Sequence, residues 1–326
     1  MSWTSSSTAA ADYQLSQASE DTLTSIAIRG SRIVASSWAK DVRVWDIVGG
    51  SSATPKTMQS FPLPMLSCAL DSSASNVVLG CTDGAVKLWD LQSNVVRDLG
   101  KHDAGVKECF WIPQLNAAVT GSWDKTVKWW DLRSPSPSCT VSLPDKVFCG
   151  ALRENILVFG CGSKYVVAFD LPNVNTPAMT KESLLKMELR CVDIFHDKTG
   201  FIIGSSEARC YVQYFNEAQK ASNFSFKCHR DSSTNLSYPL HAISVHPQVG
   251  TFLTAGGDGV LSVWDKASRH RVKQFPKKNL PITHARFSDD GKLIIYATGY
   301  DWAKVGIWNK TQPYVLSFRK CSTLEP

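Results

Sequence analysis

Two sets of residues in this 326-residue chain have the types that nucleophilic catalysis needs. His102, Thr120 and Asp124 form one, and His229, Thr254 and Asp258 form the other. A carboxylate, an imidazole and a hydroxyl are the parts of a proton-transfer triad, in which the carboxylate orients the base and the base takes the hydroxyl proton. In both sets, however, the Asp follows the Thr at the same interval, and a tryptophan, Trp130 or Trp264, follows at the same further distance. A pattern kept in register twice belongs to a repeated unit. The chain offers no other catalytic constellation: no HExxH, no G-x-S-x-G and no phosphate-cradling glycine loop. Its ten cysteines include no CxxC pair, so reduced core thiols are expected, with no metal and no cofactor. No catalytic residue is assigned, and the chain reads as a non-enzyme.

The elements that carry these residues recur along the sequence. VKWWD alternates apolar and polar residues and stops at Asp131, as a half-buried strand does. The same shape ends at Asp46 in VRVWD, Asp90 in VKLWD, Asp170 in VVAFD and Asp265 in LSVWD. Degenerate copies end at Asn216 in YVQYFN and Asn309 in VGIWN. Copies spaced by about 40–50 residues mark four-stranded propeller blades, so the expected fold is an all-β, seven-bladed WD-repeat β-propeller. Asp83, Asp124 and Asp258 stand seven positions ahead of their terminal Asp, where a turn carboxylate accepts backbone N–H groups. In WD-repeat proteins this Asp also joins a buried hydrogen-bond chain with a His, a Ser or Thr and the strand Trp. That resemblance makes His102, Thr120, Asp124 and Trp130, and His229, Thr254, Asp258 and Trp264, structural clamps.

The repeat covers nearly the whole chain, giving one ring over residues 12–320, a Ser/Ala-rich disordered tail over 1–11 and a short tail over 321–326. No apolar run is long enough for a membrane helix, and the N-terminus has neither the basic nor the apolar region of a secretory signal. A net charge of +6 biases the surface toward acidic partners. The basic stretch RHRVKQFPKKN, residues 269–279, reads as a solvated connection between blades in preference to a phosphate site.

Several stretches off the repeat consensus resemble one family, the WD-repeat messenger-RNA export factors of the nuclear pore (Gle-two or RNA-export-one type). They are SSWAKDVRVWD (36–46), HDAGVKECFWI (102–112), TGSWDKTVKWWDLRS (120–134), LPDKVFC (143–149), RCVDIF (190–195) and GFIIGSSEARCYVQY (200–214). NFSFKCHR (223–230), HAISVHPQVGTFLTAGGDGVLSVWDK (241–266) and YDWAK (300–304) continue the match. FKCHR is shared with a related spindle-checkpoint propeller; YDWAK leans to the export factors. The resemblance implies a monomeric adaptor, resident in the nucleus, at the pore and in the cytoplasm. It grips the hairpin-like GLEBS segment of a Phe-Gly nucleoporin across one propeller face. The implied contacts are Trp38 and Trp123, each following Ser at a turn, with Arg209, Lys227 and Arg230. A large apolar side chain at a turn is poorly explained by core packing, which favours an anchoring role for both tryptophans. Ala208 stands where the family has Gly; a positive φ there would strain the turn beside Arg209.

The family also implies a groove for single-stranded RNA, ribonucleoprotein or acidic peptides, here Arg230, Trp302 and Lys304. Two further partner classes compete: mitotic checkpoint proteins, and a cullin-type ligase adaptor reading WDLR through Arg133. Ring closure has two solutions. Either YVLSF (314–318) is the third strand of blade seven and DYQL (12–15) supplies its outer strand, or VGIW is the third strand and the N-terminus is free. Family resemblance favours the first.

Overall fold

The computed structural model describes residues 12–50, 52–134, 136–301 and 315–321. Runs rich in β-branched and small residues, such as IVASS, NVVLG and FIIGS, are cut by short turns, so the chain folds as successive antiparallel meanders. Blade one comprises Leu23–Arg29, Arg32–Ser37, Asp41–Val48 and Ser52–Ser60. Blade two comprises Met65–Leu70, Asn76–Cys81, Ala85–Asp90 and Val95–Lys101. Blade three comprises Val106–Ile112, Ala117–Ser122, Thr126–Asp131 and Cys139–Ser142. Blade four follows with Val147–Arg153, Ile156–Cys161, Tyr165–Asp170 and Met179–Glu182. Blade five has Leu189–Ile194, Gly200–Ser205, Arg209–Tyr214 and Phe224–Lys227, and blade six Leu240–Val245, Thr251–Gly256, Leu261–Asp265 and Arg271–Gln274. Between them a short ribbon pairs Arg230–Asp231 with Leu236–Ser237.

Blade seven joins both ends of the described chain. Ile282–Phe287 and Leu293–Thr298 pair in sequence; Val315–Lys320 takes the third place and Tyr13–Gln14 the outermost. Tyr13 stacks on Phe318 with ring centroids 5.2 Å apart, and the Leu15 N–H donates to Leu316 O at 2.8 Å. Asp12 accepts from Arg319 Nε at 2.6 Å and also pairs with Lys278. Closure in this way covers the outer edge of Val315–Lys320 at Leu316, Ser317 and Phe318. The VGIWN copy and residues 1–11 lie outside the described residues. Cys321, first residue of the expected tail, donates its N–H to Lys292 O at 2.7 Å and packs on the core between blades six and seven.

Seven apolar cores lie at the seven junctions between neighbouring blades. A single four-stranded sheet cannot bury both faces, so each blade is stable only against its neighbours. One register corrects the sequence reading. In blade five Gly200 pairs with Tyr214, as Ala117 pairs with Asp131 in blade three, so Tyr214 and not Asn216 takes the terminal position. Asn216 instead begins a short helical turn, its Oδ1 accepting from Ala218 N.

Every innermost strand slips register at its second residue, and the slipped residues are Thr24, Leu66, Lys107, Phe148, Arg190, His241 and Thr283. A β-bulge leaves one residue unpaired and re-aims its side chain. Here the seven bulges stand in a ring around the central channel.

Candidate functional site

The turns between second and third strands, and the connections entering each blade, all lie on one face, called here the upper face. The carboxylates at these turns are fixed locally: Ala85, Thr126 and Val260 donate their N–H groups to Asp83, Asp124 and Asp258 at 2.9–3.1 Å. In blade three His102 Nδ1 lies 2.9 Å from Asp124 Oδ2 and Nε2 lies 2.7 Å from Thr120 Oγ1, to which Trp130 Nε1 donates at 2.8 Å. Blade six matches it with His229, Asp258, Thr254 and Trp264 at 2.8–2.9 Å. One proton assignment satisfies each chain: Trp N–H to Thr, Thr O–H to His Nε2, and His Nδ1–H to Asp. It needs a neutral imidazole, and burial holds the His102 pKa below its usual value despite Asp124. Every member is engaged in the blade, with Thr120 fully buried, so no hydroxyl is presented to a substrate.

The anchoring candidates stand at the rim of the central channel. Trp38 is 37% exposed, and Trp123 is half-buried, its six-membered ring lying over Gly105 so closely that a Cβ there would sit 2.7 Å from it. Both tryptophans line a well of about 500 Å³ whose floor is the ring of bulged residues. Its wall mixes apolar and polar side chains: blades one to four supply Trp38, Leu66, Trp123 and Phe148 together with Lys107, and the rest of the ring supplies Arg190, His241, His284 and Asp301 together with Leu189. Burial pushes the His284 pKa down to about 3, so its ring is neutral.

The basic candidates cluster farther out, on blade five and the chain leaving it. Arg209 and Lys227 are directly opposed across neighbouring strands. Glu207, at the turn, lies 3.8 Å from Arg209 Nε, and its carbonyl accepts from Arg230 Nη2 at 2.9 Å. The Glu207 carboxylate also accepts the Lys186 N–H at 2.8 Å, tying the turn to the connection from blade four. Ala208 has φ +58° and is fully buried, so the strained turn beside Arg209 is present. Trp302 and Lys304 lie outside the described residues; of that candidate groove only Arg230 is placed. Arg269, Arg271 and Lys273 from the basic stretch sit over Phe224, Trp264 and Phe275 at 4.3–5.9 Å, as cation–π contacts.

Arg133, on the opposite face, chelates its own Asp131 through Nε and Nη2 at 2.9 and 2.6 Å. That hydrogen bond holds the Asp131 carboxyl at about 2. Among the described residues no group of three His, Cys, Asp or Glu side chains is arranged to hold a metal. The floor of the well was missed by sequence reasoning. Its residues share a position, the second of each innermost strand, but no residue type, so a signal existed only in alignment of one blade against another.

Seven four-stranded blades, two of them stitched by these turn networks, define a WD-repeat propeller, and residues 93–131 match the family model for the WD domain, G-beta repeat. Over 307 residues the chain is 35% identical to Protein Rae1 of Drosophila melanogaster, covering 90% of this chain and 89% of that protein. It is 36% identical over 307 residues to mRNA export factor GLE2 of Chaetomium thermophilum, covering 90% and 85%. To the poly(A)+ RNA export protein of Schizosaccharomyces pombe it is 32% identical over 308 residues, covering 92% and 88%. The chain belongs to the Rae1/Gle2 family of WD-repeat proteins.

Proposed function

We propose that this protein acts in messenger-RNA export as a non-catalytic adaptor of the nuclear pore. In this reading its upper face holds a GLEBS-type segment of a Phe-Gly nucleoporin. The observation that carries the proposal is the meeting, on one face, of two rim tryptophans with opposed cations. Arg209 faces Lys227 directly, and like charges placed so weaken a strand pair. An acidic segment offsets that repulsion, and Arg can grip its carboxylates through two parallel hydrogen bonds. Trp38 and Trp123 supply the aromatic contact area on which binding energy concentrates. The names of relatives such as mRNA export factor GLE2 support the cellular process. A mitotic-kinase segment of the same type is the competing occupant of this face, and ribonucleoprotein is the cargo such an adaptor would bring to the pore.

Calorimetry against two synthetic GLEBS peptides, one from a Phe-Gly nucleoporin and one from a checkpoint kinase, tests this. The nucleoporin peptide is expected to bind, and the double variant Trp38→Ala/Trp123→Ala to lose at least about thirtyfold in affinity, corresponding to about 2 kcal/mol. Binding of the kinase peptide alone, or of neither, refutes the pore-adaptor assignment.

A further inference from the structure

A second cavity, of about 250 Å³, lies away from the channel, between blade six and the ribbon that joins blades five and six. Its wall on blade six is made by an irregularity of pairing. Ser262 pairs with Gln274 and Trp264 with Arg271, and Val272 is left over between them. Residues 262 and 264 point to one face of their strand, so this bulge brings Arg271 and Gln274 to a common face although three positions separate them. Lys277, on the connection to blade seven, adds a second cation, and Arg230 of the ribbon a third. Among the described residues the side chains of Lys277 and Gln274 have no partner, and Arg271 makes only its cation–π contact with Trp264. Two carboxylates also line the cavity, and both are engaged. Asp258 Oδ1 accepts from the Val260 N–H at 3.1 Å and lies 2.9 Å from His229 Nδ1. Asp231 Oδ1 accepts from the Ser233 N–H at 2.9 Å and from the Ser233 hydroxyl at 2.6 Å. Ser233 is thus committed to the turn of the ribbon. Its neighbour Ser232 is exposed, lines the cavity, and has a hydroxyl with no partner among the described residues.

We propose that Ser232 is a phosphorylation site and that this cavity is the seat of its phosphate. A protein kinase transfers the γ-phosphoryl group of ATP to the Ser232 oxygen. The new O–P bond forms as the bond to ADP breaks, and the hydroxyl proton leaves to the base of the kinase. The ribbon is held by two residue pairs, Arg230 with Ser237 and Asp231 with Leu236. Opening so short an element costs little of the global stability, which gives a kinase access to the tip. The product carries a charge of about −1.5 to −2 at neutral pH and three acceptor oxygens. Arg271 meets two of those oxygens with its planar fork, and Lys277 supplies a point charge beside the third. The seated phosphate ties the ribbon to blade six. It also draws in Arg230, and so withdraws that side chain from the RNA or acidic-peptide groove expected of the family. That last consequence rests on the groove reading; the modification and its seat do not.

The test uses the full chain made with phosphoserine encoded at position 232 and, separately, the protein purified from its own cells. Phosphorus NMR follows the second ionisation of the phosphate with pH. The seated phosphate is expected to ionise about one pH unit lower than phosphoserine in a free peptide of residues 228–237, the effect that neighbouring cations impose. Arg271 and Lys277 are exposed, so the double variant Arg271→Ala/Lys277→Ala should melt with the wild type. In it the titration is expected to return toward that of the free peptide. Hydrogen exchange of amides 231–237 should slow on phosphorylation in the wild type and not in the double variant. Peptide mapping of the protein from its own cells is expected to find phosphate on Ser232. A titration identical to that of the free peptide overturns the seat, and phosphate found only elsewhere on the chain, or nowhere, overturns the assignment of Ser232. Neither readout uses the nucleoporin peptide, so the adaptor reading stands or falls separately.

Discussion

Blades three and five solve the same problem in opposite ways. In blade three the upper turn is held by polar groups: His102, Thr120, Asp124 and Trp130 saturate one another in the interior. In blade five every corresponding position has changed. Leu185 stands four residues ahead of its innermost strand, as His102 does in blade three; register sets Ile203 opposite the place of Thr120 and Gln213 at that of Trp130. Leu185 and Ile203 join the apolar core between blades four and five. The turn acid is Glu207, whose carboxylate reaches outward to Lys186 N and toward Arg209. A polar network inside a blade is worth keeping only if every member is satisfied; an apolar substitute of similar volume does as well. Once the interior of blade five is apolar, its turn acid is free of histidine and can organise cations at the surface. The degenerate blade is therefore the one that carries the basic cluster.

Three measurements break or sharpen this contrast. The largest effect is expected for Thr120→Val, which removes the acceptor of the Trp130 N–H and the partner of His102 Nε2. Two buried polar groups left unpaired should cost about 3 kcal/mol in denaturant unfolding. Ile203→Val at the matching site should cost only about 1 kcal/mol, the effect of losing one methyl group. Equal losses would mean that the network contributes nothing beyond packing.

The second contrast lies in acid. His102 is held below its ordinary pKa by burial, so the stability it lends is complete above about 6.5 and declines as pH falls from there toward its folded value. Burial pushes Asp124 up, but Thr126, His102 and the Asp103 N–H together bring its pKa below the ordinary value. Its contribution is complete above about 3.9 and is lost as pH falls through its lower folded value. Both groups act in the same direction. Hydrogen exchange on acidification should open the amides of 117–131 before those of 200–214. The reverse order would disprove the assignment of a neutral, fully bonded His102. The smallest effect is expected for Ala208→Gly: relief of a positive φ at a buried turn should raise stability by about 0.5–1 kcal/mol.

The blades and their hydrogen-bonded sets were legible in the sequence because polar residues recur there at fixed offsets from a strand-ending Asp. Trp38 and Trp123 were legible as large apolar residues at positions where a turn has no use for them. The floor of the well was not. A bulge is set by the register between two strands, and its occupants here run from threonine to arginine, so no repeated letter reveals them. Blade five was read two residues long for a related reason: with its Trp–Asp ending gone, only the pairing of Gly200 with Tyr214 fixes where the strand stops. The placing of Tyr13–Gln14 beside Val315–Lys320 agrees with the closure that family resemblance favours; the residues alone left two solutions open, because no local pattern encodes a contact between the two ends of the described chain.

That last pairing has a consequence for how the protein is made. Asp12 and Arg319 are separated by 307 positions and meet in one ion pair. At about 5–20 residues per second, a ribosome takes about 15–60 s to deliver the second after the first. Throughout that interval the segment around Tyr13 has no strand to pair with, while blades one to six are already emerging. A nascent chain must keep this segment out of wrong pairings until its final strand arrives, because an unpaired strand edge is open to misassembly while it waits.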